Sequence, residues 1–309
     1  MQRIFFTLFL LTVPVWAKMI VAVSLQPQAW LVERIAGDLA EVVVMVPPGA
    51  SAHTYEPKPA QMVQLSKARL YVACGIEFER IWLQRFKSTN AALTVVQSDE
   101  AIAKMPMPAH HHDHDHGGET RGHDHGGWLD RLHGWLNDGE EKRGDTHVWL
   151  SAQQMMLQAR AVADALMQAD APNAARYREN YLTTVREIAA LDMEIAAGLA
   201  PYRGRKFMVF HPAWGYFARD YGLVQAAIEL EGKEPKPAQL AELIETAKKE
   251  RIAVIFVQPR QSPKSAETIA AAIGAKVAPL DPLERDWPQM MRQTAQALMG
   301  AMGESSAGR

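Results

Sequence analysis

Pro172-Asn173-Ala174-Ala175-Arg176-Tyr177-Arg178-Glu179-Asn180-Tyr181-Leu182 opens a stretch that runs on to Glu194-Ile195-Ala196-Ala197-Gly198-Leu199. No Gly or Pro interrupts it between Asn173 and Ala197. Pro172 suits a first helical turn, where its missing N–H has no partner to lose. Gly198 and Pro201 are stop signals. The spacing predicts a helix of about 28 residues, about 42 Å long at a rise of 1.5 Å per residue. Tyr181, Val185, Ile188, Leu191 and Ile195 recur at helical spacing and mark a buried face. An ordinary long core helix would show the same pattern. Position separates the two readings: the segments on either side both look like small α/β units, and each carries isolated histidines in turn-like contexts. The stretch is therefore read as a rigid connector between two lobes.

Before the connector, apolar runs at 19–24, 41–46, 70–73 and 93–97 predict strands, with helices at 30–35, 59–67, 79–86 and 152–168. Beyond it, strands are expected at 206–210, 224–230, 253–257 and 276–280, with helices at 214–221, 237–250, 263–273 and 287–302. Strands alternating with helices imply parallel, doubly wound sheets. The expected fold class is α/β: two doubly wound parallel-sheet lobes joined by one long connector helix, with a cleft between them. The first lobe is assigned to 18–171, the connector to 172–200 and the second lobe to 201–309. Residues from about 106 to 144 interrupt the first lobe as an insertion rich in His, Asp, Gly and Glu, without sustained apolar periodicity.

The chain has 309 residues, enough for two cores, and its formal net charge of -2 gives no argument for nucleic acid. Met1-Gln2-Arg3, an apolar run over 4–16 and Ala17 match a secretory signal peptide over 1–17, too short to span a bilayer. No other stretch is long and apolar enough, so the mature chain is expected not to be membrane-embedded. The single cysteine, Cys74, closes a predicted strand; it reads as a buried, inert thiol rather than a metal ligand. It lies far from the signal and is not a lipid-anchor cysteine. A free periplasmic protein, monomeric, is expected.

Of eleven histidines, seven crowd the segment 110–125: His110, His111, His112, His114, His116, His123 and His125. A solvated loop has no need of that density, so they read as a secondary metal-binding set. His133 also lies in the insertion. The remaining three are His53, His147 and His211, each at or beside a predicted strand end or loop. Doubly wound sheets collect ligands at the carboxyl ends of their strands. His211 and Asp281 directly follow predicted strands, and His53 closely follows one. Neutral imidazole suits Zn2+, and three imidazoles with one carboxylate make a closed tetrahedral shell.

The sequence resembles the metal-binding solute-binding proteins of zinc and manganese ABC importers, and within them the periplasmic zinc-binding members. The resemblance spans essentially the whole mature chain. It is carried by Gly49-Ala50-Ser51-Ala52-His53-Thr54-Tyr55-Glu56-Pro57, by Asp145-Thr146-His147-Val148-Trp149-Leu150-Ser151, by Phe210-His211-Pro212-Ala213-Trp214-Gly215-Tyr216-Phe217, by Leu280-Asp281-Pro282-Leu283 and by the unbroken connector. It implies His53, His147 and His211 as direct ligands of the ion, Asp281 as the carboxylate, Zn2+ as cargo and an inner-membrane ABC permease as partner. Some zinc members carry an acidic residue just before the first histidine; here Ala52 stands there, which leaves Asp281 or a water as the fourth ligand. Relatives often read His-Asp-Ala-Phe where this chain has His211-Pro212-Ala213-Trp214, which alters the pocket wall. Manganese-type relatives exchange an imidazole for a carboxylate, and three histidines favour zinc.

Further readings use the same residues. A manganese-specific binding protein, an adhesin or a metal buffer would fit the same scaffold. A secreted zinc hydrolase would need an open coordination position and a general base. The chain contains no His-Glu-x-x-His helix, and no spacing singles out Glu56, Glu77 or Glu231 as that base. A non-enzymatic binding protein is therefore expected.

Overall fold

The structure, a computed structural model, describes residues 18–52, 54–106, 144–229, 233–259 and 264–307. The predicted signal peptide, His53 and the seven clustered histidines lie outside the described residues.

Two four-stranded sheets dominate. The first is built from β1 (Met19–Val23), β2 (Ala40–Val44), β3 (Leu70–Ala73) and β4 (Thr94–Gln97), in the order β2-β1-β3-β4, all parallel. Helices α1 (Gln26–Ala36), α2 (Pro59–Leu65) and α3 (Glu77–Thr89) alternate with these strands. α4 (Ala152–Ala169) and α5 (Ala174–Leu199) follow. The second sheet repeats the first topology: β5 (Lys206–Val209), β6 (Val224–Ala227), β7 (Val254–Val257) and β8 (Lys276–Pro279) pair as β6-β5-β7-β8, again all parallel. α6 (Gly215–Asp220), α7 (Pro237–Lys249), α8 (Lys264–Ile273) and α9 (Trp287–Ala307) complete this lobe. In each sheet the strand order reverses beside the first strand. Such switch points open a crevice at the carboxyl ends of the strands.

The short runs Val21-Ala22-Val23 and Leu70-Tyr71-Val72-Ala73 are buried throughout, as parallel strands covered on both faces must be. α1 begins four residues before the predicted start. Pro27 sits in its first turn, and Gln28 Oε1 accepts the Ser24 and Leu25 N–H groups at 3.0 and 2.9 Å. α3 likewise starts earlier than predicted, because Glu79 caps it. The Glu79 carboxylate accepts the Cys74, Gly75 and Ile76 N–H groups and the Ser24 hydroxyl. Burial pushes its carboxyl up to about 7 against the pull of those donors. Cys74 is buried as expected, and burial followed by the Glu79 charge pushes its thiol well above its ordinary value.

α5 has 26 residues and joins the two lobes. Two details differ from the sequence reading. Pro172 sits in a separate 3-10 turn, Ala171–Asn173, and Gly198 lies inside the helix, which continues to Leu199. A Cβ on Gly198 would meet Met299 Sδ at 3.2 Å, so this glycine serves the close approach of α9 rather than a stop. The buried face comprises Tyr177, Thr184, Ile188, Leu191, Ile195 and Leu199, while Tyr181 and Val185 are only half-buried. α5 packs against α1, α4 and α9, so it is a core helix and a connector at once.

One hydrophobic core runs through both lobes, from Val21 and Phe86 to Phe217 and Trp287. A smaller one lies within the second lobe around Met208, Ile255 and Ile269. Polar contacts fasten the shared core. Trp287 Nε1 donates to the Trp149 carbonyl at 2.6 Å, and Trp149 Nε1 donates to the Pro282 carbonyl at 2.7 Å. Trp287 also lies 5.2 Å from Trp30, centroid to centroid. Arg285 reaches Gln26 at 2.8 Å and pairs with Glu33 on α1. Among the described residues no helix is long and apolar enough to cross a membrane.

Candidate metal centre

His147 and His211 meet although 64 residues separate them in the chain. His147 ends the loop that follows the insertion, just before the 3-10 turn Val148–Leu150. That turn leads into α4, whose first amides are capped by Ser151 Oγ at Gln154 N, 3.2 Å, as the sequence predicts. Asp145 fixes the turn. Its Oδ1 accepts the His147 N–H at 2.9 Å and lies 2.7 Å from His147 Nδ1. Asp145 and His147 are both buried, at 2% and 6% exposure, so this contact excludes water. A short Asp side chain two residues upstream is well placed for such a turn.

His211 lies two residues beyond β5, at the switch point of the second sheet. Its Nδ1 is 3.0 Å from Glu229 Oε2. The register explains the pairing. Val209 stands opposite Ala227, so two equal steps along parallel strands bring residue 211 opposite 229. The ladder does continue: Ile228 N–H donates to the Val209 carbonyl and Glu229 N–H to the Phe210 carbonyl, each at 2.9 Å.

A carboxylate only accepts hydrogen bonds, so each Nδ1 carries the hydrogen and each neutral ring has its Nε2 lone pair free of that proton. The two Nε2 atoms face each other at 3.3 Å, with ring centroids 5.2 Å apart and planes at 68°. Two lone pairs set so close are held favourably only by something positive between them: one proton, or one cation. The carboxylate behind each ring fixes its tautomer and its direction, as such partners do for metal-ligating histidines.

Asp281 follows β8, where its Oδ1 accepts the Leu283 N–H at 2.9 Å. The next residue, Pro282, receives the Trp149 indole hydrogen bond, and the Trp149 ring lies 5.3 Å from that of His147. The Asp281 turn is thus tied to the His147 turn. Glu284 and Asp286 make this edge acidic: burial, then Asp281 and Asp286, raise the Glu284 carboxyl above its ordinary value. Among the described residues no three His, Cys, Asp or Glu side chains gather closely enough to hold an ion together. Of the predicted ligands, the structure brings together His147 and His211, and His53 lies outside the described residues.

Sequence reasoning missed Asp145 and Glu229. Asp145 was visible at two residues from His147, as a pattern that permits an Asx turn. Glu229 was not, because its partnership depends on sheet register.

A family model described as the periplasmic zinc-uptake complex component A, ZnuA, matches residues 21–301. The high-affinity zinc uptake system protein ZnuA of Paracoccus denitrificans (strain Pd 1222) is 30% identical over 297 residues, covering 88% of each chain. The zinc-binding lipoprotein AdcA of Streptococcus pneumoniae serotype 4 is 29% identical over 272 residues, 86% of this chain but 50% of that protein, so the chain spans about half its length. A crystal structure of ZnuA superposes with a TM-score of 0.80 at 38% identity, covering 92% of this chain and 99% of that one.

Proposed function

The chain belongs to the family of periplasmic A components of zinc-uptake complexes, and from that premise we propose that it captures one Zn2+ ion between its lobes and delivers it to the permease of an ABC importer. His147 and His211 supply one imidazole each, from opposite lobes. His53 adds the third, and Asp281 or a water the fourth ligand. No catalytic step is assigned to these residues.

The observation that carries this reading is the 3.3 Å separation of the two Nε2 atoms. Two Zn–N bonds of about 2.05 Å at a tetrahedral angle put their nitrogens about 3.3 Å apart. That separation fits two ligands of one ion of that size. Donor type favours zinc over manganese, since imidazole nitrogen suits Zn2+ and oxygen-rich shells suit Mn2+. Asp145 and Glu229 take the Nδ1 hydrogens, so binding needs no tautomer change. A doubly protonated imidazole must lose a proton first, so affinity falls as pH is lowered. The seven histidines of the insertion act as a weaker collector, whose tethering raises the local ion concentration near the main site.

Thermal unfolding with and without one equivalent of metal tests the reading. Free ligand at about 1,000 times its Kd adds about 4 kcal/mol, which in a chain of this size corresponds to a rise of roughly 6 °C in Tm. Zn2+ should produce that rise and Mn2+ a much smaller one. An unchanged Tm with Zn2+ would contradict the proposal, and an equal response to both ions would contradict the assignment of zinc over manganese.

A further inference from the structure

The neck of the insertion is held by a residue of the other lobe. Met105 and Asp145 flank the departing and returning chain, and Pro106 and Gly144 form an isolated antiparallel bridge between them. Asp145 N–H donates to the Met105 carbonyl at 2.6 Å. Both residues also bond to one hydroxyl, that of Tyr216 on α6, directly after the His211 loop. The phenol accepts the Met105 N–H at 3.0 Å and donates to the Asp145 carbonyl at 2.8 Å. Tyr216 is fully buried, and the Arg219 guanidinium lies 5.1 Å above its ring. Its neighbour Gly215 touches the same residue: a Cβ there would lie 2.9 Å from Asp145 Oδ2. Asp145 Oδ1 is meanwhile engaged by His147. The second lobe thus bonds the backbone of the residue that orients His147 and leaves no room for a side chain at position 215 beside its far carboxylate oxygen.

We propose, on the reading that His147 holds the ion, that Tyr216 and Gly215 are positioning residues for His147. They act through Asp145, and they couple the lobe that carries His211 to the ligand on the other lobe. The physical reason is directional. The imidazole is aimed by one short carboxylate, and that carboxylate is only as fixed as its own backbone and its room to turn. Removing the hydroxyl frees the backbone, and adding a methyl at position 215 displaces the carboxylate. Either change lets Nε2 swing away from its partner on the opposite lobe, so a bound ion leaves sooner.

The test uses the full chain loaded with Zn2+ and mixed with excess chelator, with release followed in time. Loss of a group that orients a metal-binding histidine typically costs about 10–100-fold in affinity. Tyr216→Phe and Gly215→Ala should each speed release by about tenfold, near the lower end of that range. Gly215→Ala crowds the buried Asp145 carboxylate, so its metal-free Tm should fall modestly while release quickens. A merely structural role would lower Tm and leave the release rate of the folded, loaded protein unchanged. If both residues act through Asp145, adding either change to Asp145→Asn should give no further acceleration, whereas independent effects would multiply. Unchanged release in both single variants, or multiplying effects in the double variants, overturns the coupling. His147→Ala is the reference. If it weakens binding while Gly215→Ala and Tyr216→Phe do not, the coupling alone is wrong; if it leaves binding intact, the assignment of His147 falls and the coupling with it.

Discussion

Zn2+ binding should weaken by about 10²–10³-fold in His211→Ala, but only about tenfold in Asp281→Ala. A four-ligand zinc shell supplies roughly 10–16 kcal/mol, so one ligand accounts for about 2.5–4 kcal/mol, each 1.4 kcal/mol being tenfold. His211 is fixed in advance: Glu229 holds its Nδ1 and its Nε2 lies 3.3 Å from that of His147. A water or a histidine of the insertion that took its place would have no such prior orientation and would bind less tightly. Its loss also leaves the Glu229 carboxylate, itself half-buried, without its imidazole partner. A water can replace the Asp281 carboxylate at lower cost. Competition titrations against a chelator of known affinity measure both losses on one scale. A larger loss for Asp281→Ala than for His211→Ala would reverse this ranking of the ligands.

Trp287→Ala should destabilise the metal-free protein by about 3–5 kcal/mol, the usual cost of emptying a fully buried aromatic site. Trp287 has no exposed surface. Its ring packs at a tilt against Trp30 of the first lobe, and it donates to the carbonyl of Trp149, whose own indole bonds to Pro282 in the second. Truncation therefore opens a cavity where the lobes meet and leaves the Trp149 carbonyl without this donor. Urea unfolding followed by far-UV circular dichroism reads the change as a lower midpoint with an unchanged slope, if the lobes unfold together through their shared core. A shift below about 1 kcal/mol, or a transition split in two, would show that the lobes do not depend on this contact.

The architecture was legible in the sequence because parallel strands covered on both faces must be apolar throughout. Val21-Ala22-Val23 and Val254-Ile255-Phe256-Val257 announce themselves without any tertiary information. Element ends were less legible, for reasons that lie outside each segment. The Gln28 and Glu79 side chains extend α1 and α3 toward their N-termini by capping amides that composition alone leaves unassigned. Gly198 looks like a stop but is a contact made for Met299, 101 residues later. The site divides in the same way. Imidazoles at strand ends are readable as candidate ligands, and His147 and His211 do meet. The carboxylate behind His211 was hidden, because only the pairing of Val209 with Ala227 places Glu229 there. The hold of Tyr216 on Asp145 was hidden too, since it crosses 71 residues and two lobes.

The central claim is that one Zn2+ ion bridges the two lobes through His147 and His211. Anomalous diffraction at the zinc edge, from crystals of the full chain loaded with one equivalent of Zn2+, tests it most directly. The expected map has its strongest peak about 2.0–2.1 Å from both Nε2 atoms, with Asp145 and Glu229 still bonded to the opposite ring nitrogens. A strongest peak bound by residues of one lobe only, or lying away from either histidine, would contradict it.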